Sequence, residues 1–452
     1  MMAVWSSINF SEIQGFNRTD AEFYKPDYQK SFERVKSHDG ERISHFAYIT
    51  DGIHASPQIV QNGIRYISAK CVKDNEFVVD NCIHISHMQN KQNPRTQLTS
   101  GDVIITTVGT IGNVAVVEPY LTPCNCDRHV GVIRVTDPDN VSPYYLSTFL
   151  NSKYGKIQSL REAAGNVQLN LYIRNIGHIL VPRLGKYEKD IATCTRQAYL
   201  LRGESKTLYS QAQHILESEI GLDKLSFQKP VGYTARFSAV GLSDTFNAGR
   251  IDAQCFAPNA IFYKNWLLNH AQCDRLVHLL KGTAKGRQQV ESYRGTIDYC
   301  SIKHISGHEL TEASKCQPTA DTLLAAQNDL LLAITGATIG KIGIVKRYNQ
   351  LAFSGDLLSL RANTEINPNY LLVVLDHSIG QAQFKRWITG STNGHLAPRD
   401  VGRVLVPRLK KSAEEPIAKL VEESLRRRVE SEKLLDQAKT RVEQLIEEAV
   451  RS

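Results

Sequence analysis

Apolar residues recur at alternating three- and four-residue steps in two stretches of the chain. Residues 188–222 put Ile191, Cys194, Ala198, Leu201, Leu208, Ala212, Ile215 and Leu222 on that spacing, with polar Ser205 and Glu219 completing the heptad places. Residues 413–451 do the same with Ile417, Val421, Leu425, Leu435, Ala438, Val442, Leu445 and Ala449, and their one proline, Pro416, sits in the first turn where it is tolerated. A stripe this narrow predicts two long coiled-coil helices. Elsewhere short β-branched runs predict strands, and two of them carry glycine near the middle: "TTVGTIGNVAVV" at 106–117 and "ITGATIGKIGIV" at 334–345. Glycine weakens a strand, so its presence there implies a turn or a close backbone approach.

These patterns belong to an internal repeat. "RTDAEFYKP" at 18–26 returns as "RIDAQCFAP" at 250–258, and "YISAKC" at 66–71 as "YCSIKH" at 299–304. The glycine-bearing strands follow, Asp102 to Val117 and Asp329 to Val345. "SPYYLSTFLNSKYGKIQ" at 142–158 then returns as "NPNYLLVVLDHSIGQAQ" at 367–383, and "GHILVPRL" at 177–184 as "GRVLVPRL" at 402–409. The helices keep a trace in "ESKTLYSQA" at 204–212 and "ESEKLLDQA" at 430–438. Six matches in one order make each half a mixed, strand-rich globular domain followed by one long helix.

A narrow apolar stripe needs a partner, and for two like units the simplest arrangement pairs the helices antiparallel about a pseudo-two-fold. A helix of about 30 residues is roughly 45 Å long, a little over one turn of B-DNA. Such a rod can hold two DNA-reading heads. A plain tether or a homodimer zipper is the alternative that periodicity alone leaves open.

Composition narrows the class. The chain has 452 residues, too many for one ordinary core, and 42% of them are hydrophobic. No apolar run approaches a membrane span, and the N-terminal stretch lacks the pattern of a secretory signal, so a cytoplasmic protein without membrane association is expected. Nine cysteines, an odd number without paired C-x2-C spacing, read as reduced thiols rather than disulfides or a zinc site. The net charge of +8 favours a polyanion only weakly. No phosphate-binding loop is present, since "GTAKGRQQ" at 282–289 has the wrong spacing, and "NPNY" at 367–370 reads as a helix start rather than a methyltransferase motif.

The doubled R-x-D-A opening, the doubled T-I-G strand, the "PxYL" helix and the "VPRL" strand, each unit closed by a long helix, resemble the specificity subunit of type I restriction-modification systems. The resemblance covers essentially the whole chain. It implies an α+β fold with two similar target-recognition domains, strand-rich and mixed, separated by two antiparallel coiled-coil helices: domains at 1–187 and 230–410, spacer helices at 188–229 and 411–452. The implied function is non-catalytic, sequence-specific DNA binding, each domain reading one half of an interrupted site and directing adenine methylation or restriction by other subunits. Implied partners are double-stranded DNA, two methyltransferase subunits and a restriction and translocation subunit. The chain itself is expected to bind no cofactor or metal; S-adenosylmethionine, ATP and Mg belong to the partners. Competing readings are the same architecture serving a solitary methyltransferase or another defence complex, a stand-alone nuclease, and a pure scaffold.

Specificity should sit where the halves diverge, on side chains that pair with base edges. The amide-rich segment 87–100 supplies Lys91, Gln92, Asn93 and Arg95 as the leading reading loop. A second segment, 165–175, offers Asn166, Gln168, Asn170 and Arg174, against Thr392, Asn393, His395 and Arg399 in 390–400. The glycine strands add Thr107, Thr110 and Asn113, and Thr335, Thr338 and Lys341 in the second copy, unless that motif is a hairpin built only for folding. Lys70 and Lys303, in the shared Ser-x-Lys, read as phosphate contacts.

Overall fold

The computed structural model describes residues 7–16, 18–165, 168–225, 234, 250, 252–310, 313–390 and 393–448. Helix and sheet are mixed, and the chain divides into two compact units. Unit 1 comprises Met1–Arg202 with Val429–Ser452, and unit 2 comprises Gly203–Arg428. Two long helices, Tyr187–Glu219 and Lys411–Glu448, therefore each contribute one part to each unit. Among the described residues no helix is long and apolar enough to cross a membrane.

Unit 1 carries an antiparallel four-stranded sheet in the order Val114–Val116, Val103–Thr106, Val130–Val135, Ala47–Asp51. Its middle strands are buried on both faces, which suits their β-branched composition. A five-stranded sheet adds Ile64–Ile67 parallel to Cys124–Cys126. Unit 2 repeats the arrangement. Leu330–Ala333 lies between Leu357–Ala362 and Ile342–Ile344, Leu280–Lys285 forms the edge, and Ile297–Cys300 runs parallel to Gln350–Phe353.

The residues shared by the two halves are framework. Arg18 forks onto Asp20 at 2.6 and 2.7 Å and donates to the Ala163 carbonyl at 3.2 Å; Arg250 forks onto Asp252 at the same distances and donates to the Ile388 carbonyl at 2.8 Å. The hydroxyl of Tyr145 donates to the Pro182 carbonyl and that of Tyr370 to the Pro407 carbonyl. Gln158 pairs its amide with both backbone groups of Leu180, as Gln383 does with Leu405. Buried Asp102 and Asp329 each meet an arginine, Arg134 and Arg361, from the neighbouring strand. The repeat is thus a repeated set of framework hydrogen bonds, buried at Tyr145, Gln158, Tyr370 and Gln383, where each is costly to leave unmade, and half-buried at Arg18 and Arg250.

Within each unit the long helices run antiparallel, and the stripe expected from spacing is largely buried: Ile191, Ala198, Leu201, Ser205 and Ala212 in the first helix, and Ile417, Val421, Leu425, Ala438, Val442 and Leu445 in the second. A neighbouring row on Tyr187–Glu219, Thr195, Arg202, Tyr209 and Leu216, is buried as well, while the expected Cys194, Leu208 and Ile215 are half-buried and Glu219 is exposed. In Lys411–Glu448 the seam runs through Val421, Ser424, Arg428 and Ser431, all buried. Polar residues hold these places because each has a partner. In unit 1 the Ser431 hydroxyl donates to the Ala198 carbonyl at 2.6 Å, the Thr195 and Thr148 hydroxyls lie 2.6 Å apart, and Arg202 donates to the Asn75 carbonyl. In unit 2 the Ser424 hydroxyl donates to the Ser205 carbonyl at 2.8 Å. The first helix ends at Glu219, with Gly221 at φ +71° beyond it and Leu222 in the following turn; Ala449 lies outside the described residues.

Arg18→Ala strips a partner from two backbone carbonyls and from Asp20, and should cost about 1–3 kcal/mol in denaturant unfolding of the full chain. Lysine should not restore it, because the fork is lost. The Arg18 guanidinium holds the Asp20 carboxyl below its ordinary pKa. This contribution is therefore complete at neutral pH and is lost as pH falls through the depressed value. At Gly380 an added Cβ would fall 2.5 Å from the Leu375 carbonyl oxygen, so Gly380→Ala should destabilise by about 1–3 kcal/mol in the same measurement.

Candidate nucleic-acid interface

The glycine-bearing runs are hairpins. Val103–Thr106 turns back as Val114–Val116, with Ile105 opposite Val114. Gly109 and Gly112 hold φ of +77° and +83°, and Gly336 and Gly340 hold +72° and +96°. That left-handed region is strained for any residue with a Cβ, so glycine is what permits the turn. The Thr106 hydroxyl closes it by donating to the Thr110 carbonyl while accepting from the Asn113 amide at 2.9 Å.

A distant segment folds onto each hairpin tip. In unit 1 the Leu171 amide donates to the Thr107 carbonyl at 2.9 Å, and Asn170 exchanges backbone hydrogen bonds with Ala164. In unit 2 the Leu396 amide donates to the Ile334 carbonyl at 2.9 Å, the Gly336 amide to the Gly394 carbonyl at 3.0 Å, and His395 exchanges bonds with Thr389. Gly165 and Gly390 open these loops at φ of +135° and +96°, where a Cβ would meet the Gln168 and Asn393 carbonyls at 2.2 and 2.5 Å. Two candidate segments read separately from the sequence thus form one edge per unit.

The side chains on that edge divide. Thr110, Gln168 and Arg174 are exposed in unit 1, as are Thr338, Lys341, Asn393, His395 and Arg399 in unit 2. Asn170 is half-buried, its amide donating to the Gln168 carbonyl. Thr107 is buried, Asn113 donates to the Val72 carbonyl and accepts from Lys156, and Thr335 donates to Asp356 at 2.6 Å. Those three support the turn. Lys341 also reaches the Ile302 carbonyl at 3.4 Å. Asn166 and Thr392 lie outside the described residues.

The segment 87–100 is ordered by its own polar side chains: helix His87–Gln92 capped by Ser86, a turn at Pro94–Thr96, then strand Gln97–Leu98. Buried Gln89 bonds the Gln58 amide and the Ser56 carbonyl. Asn93 donates to the Gln89 carbonyl, and Arg95 is tied to Asp51 and the Thr50 hydroxyl. Lys91 and Gln92 are exposed and make no side-chain hydrogen bond among the described residues. Lys70 is exposed on the turn Ala69–Cys71. Lys303 grips Glu291 at 2.8 and 2.9 Å; its ammonium, then the Ser314 hydroxyl, hold that carboxyl below its ordinary pKa.

Sequence reasoning missed the turn that buttresses each hairpin. In unit 1 the Thr107 amide donates to the His129 carbonyl, His129 meets Asp127 at 3.0 Å, and Arg128 between them is exposed. In unit 2 the same place reads Ser354-Gly355-Asp356, and there Gly286 and Arg287 donate to the Leu357 and Phe353 carbonyls at 3.0 Å. Aligning "CDRHV" with "FSGDL" across the repeat would have exposed this divergence. Among the described residues no three His, Cys, Asp or Glu side chains gather as metal ligands, and all nine cysteines are free thiols.

Gly109→Ala meets open space and carries only the backbone strain of a positive φ, about 1–2 kcal/mol. Gly165→Ala drives a Cβ into a carbonyl as well, so thermal denaturation should show it the more damaging of the two.

No protein-family model matches the chain, and no curated protein matches it. Among solved structures it is similar to the S subunit of the type I restriction-modification system from M. genitalium, with 12% identity and a TM-score of 0.40, over 90% of this chain and 94% of that one. It is also similar to the HsdS subunit from Thermoanaerobacter tengcongensis, with 13% identity and a TM-score of 0.29, over 91% and 96%. A chain from a structure describing complex assembly and conformational transition of the type I R-M system matches at 13% identity and a TM-score of 0.30, over 91% and 96%. Of these three solved chains, each similar to this protein over about nine-tenths of its length, two are S (HsdS) subunits and the third comes from a type I R-M system.

Proposed function

We propose that this chain is the non-catalytic DNA-recognition subunit of a type I restriction-modification complex, in which each unit reads one half of an interrupted site. The observation that carries the reading is a contrast. The shared framework is tied in by hydrogen bonds, as with half-buried Arg18 and Arg250 or buried Gln158 and Gln383; side chains that differ are displayed on the polar edge of each unit, as with Gln168 against Asn393. A duplicated framework with divergent exposed amides and arginines suits a molecule that needs two different readouts from one architecture. Gln and Asn pair bidentately with adenine, and Arg with guanine, in the major groove.

On this reading the chain performs no bond-breaking step. It holds DNA so that two methyltransferase subunits modify adenine in each half, with S-adenosylmethionine bound by those subunits; ATP and Mg serve a restriction and translocation subunit. Tagged chain isolated from its own cells should bring down a methyltransferase, and the isolate should methylate adenine at a two-part motif. Isolation alone, or without such an activity, would overturn the proposal.

Gln168→Ala should relax one base position in one half-site, costing about 1–3 kcal/mol in binding to the matched duplex and leaving the other half unaltered. Gln92→Ala tests the 87–100 segment more sharply than Asn93→Ala, because Asn93 also caps its helix. Both are read by competition among duplexes differing at single positions.

A further inference from the structure

Unit 2 presents a strongly basic strip that the reading edge above does not use. Strand Leu280–Lys285 is the terminal strand of the six-stranded sheet and, among the described residues, pairs only with Leu357–Ala362. A register shift between Leu280 and Gly282 leaves Lys281 as the extra, exposed residue, an arrangement that re-aims a side chain away from the ladder. Ala284 packs on the core, so Thr283 and Lys285 face away from it. The chain then passes Gly286, fixed to the Leu357 carbonyl, and enters a loop with Arg287 and Arg294 exposed.

None of Lys281, Lys285, Arg287 and Arg294 has an ion-pair partner among the described residues. The acidic groups near the strip are committed elsewhere: Glu291 to Lys303 and Ser314, and Asp356 to Thr335. Beside the cations stand two apolar side chains almost wholly in water, Val290 at 85% and Tyr293 at 87% exposure, with the Arg294 guanidinium 5.2 Å from the Tyr293 ring. Lysines on an edge strand ordinarily deter pairing with another chain. That accounts for Lys281 and Lys285, but not for two arginines and a bare tyrosine in the loop beyond the ladder.

We infer that residues 281–294 form a phosphate-gripping strip for duplex DNA, with Lys281, Lys285 and Arg287 on the backbone and Tyr293 laid against the sugars beside it. The inference rests on the DNA-recognition reading and adds to it an anchor distinct from the base-reading edge. The strip abuts that edge through a chain of contacts: Arg287 to Phe353, the turn Ser354-Gly355-Asp356, Asp356 to Thr335, and Thr335 bridged to His395. The matching strand in unit 1, Ala47–Asp51, has no lysine or arginine, and its Asp51 is bound to Arg95 and His54. The grip is therefore a property of unit 2.

The test is the salt dependence of binding by the full chain, with the subunits it co-purifies with, to a fluorescent duplex of arbitrary sequence, which suffices because phosphate contacts carry no sequence information. Wild type is compared with the triple variant Lys281→Gln, Lys285→Gln, Arg287→Gln, and with the charge-retaining Lys281→Arg, Lys285→Arg. Three lost phosphate contacts should flatten the slope of log K against log salt by about 2 to 3, while the arginine variant keeps the wild-type slope. Tyr293→Ala should weaken binding at every salt concentration and leave the slope unchanged. Wild type that binds with a steep slope which the triple variant shares overturns the strip and spares the DNA reading; wild type that binds no duplex overturns both.

Discussion

The fold of each unit turns on one guanidinium. Arg18 holds its own Asp20 and, across the unit, the last carbonyls of helix Lys153–Glu162; Arg250 does the same for Asp252 and the end of helix Ser378–Trp387. Each helix is followed within three residues by the glycine that opens the fold-back loop, Gly165 or Gly390. The brace therefore sets where that loop begins, and the loop then pairs with the hairpin tip. In unit 1 buried Arg161 adds a second clamp, its guanidinium 3.7 Å from the Phe23 ring centroid and 4.1 Å from that of Phe32, and burial pushes its pKa down to about 10. Position of the exposed edge is thus decided by hydrogen bonds from a half-buried arginine to the carbonyls at a helix end.

This division of labour explains why one architecture can carry two readouts. A base-reading side chain must be held by rigid neighbours yet remain free to differ. Here the backbone of each edge is fixed by hydrogen bonds that any residue can make, such as Leu171 to Thr107 and Leu396 to Ile334, while glycine is demanded only at the turns. The exposed positions between them are unconstrained by the framework. The buttressing turn shows how far this goes, with Arg128 in one unit and Gly355 in the other on equivalent strands' approach.

Much of this was legible in the chain's own repetition. Duplicated motifs located the hairpins, the braced opening and the long helices, and the positive-φ glycines stood where their composition anomaly pointed. The helix seam followed the expected stripe at Ala198, Leu201, Ser205, Ala212, Val421, Leu425, Ala438 and Val442, while Thr195, Ser424 and Ser431 widen it through hydrogen bonds, which hydrophobic spacing does not register. The union of the two candidate segments into one edge is a long-range pairing with no local signal. Segment 87–100 looked like a free loop because its amides suggested readout, whereas Gln89 and Asn93 spend theirs on the backbone.

The most direct test of a shared framework with exchangeable edges is a transplant: residues 389–396 of unit 2 placed at 164–171 of unit 1 in the full chain, with the methylated site sequenced afterwards. The account predicts that one half of the recognised motif changes, the other half is retained, and the chain still unfolds cooperatively. An unchanged motif, or a chain that no longer folds, would contradict it.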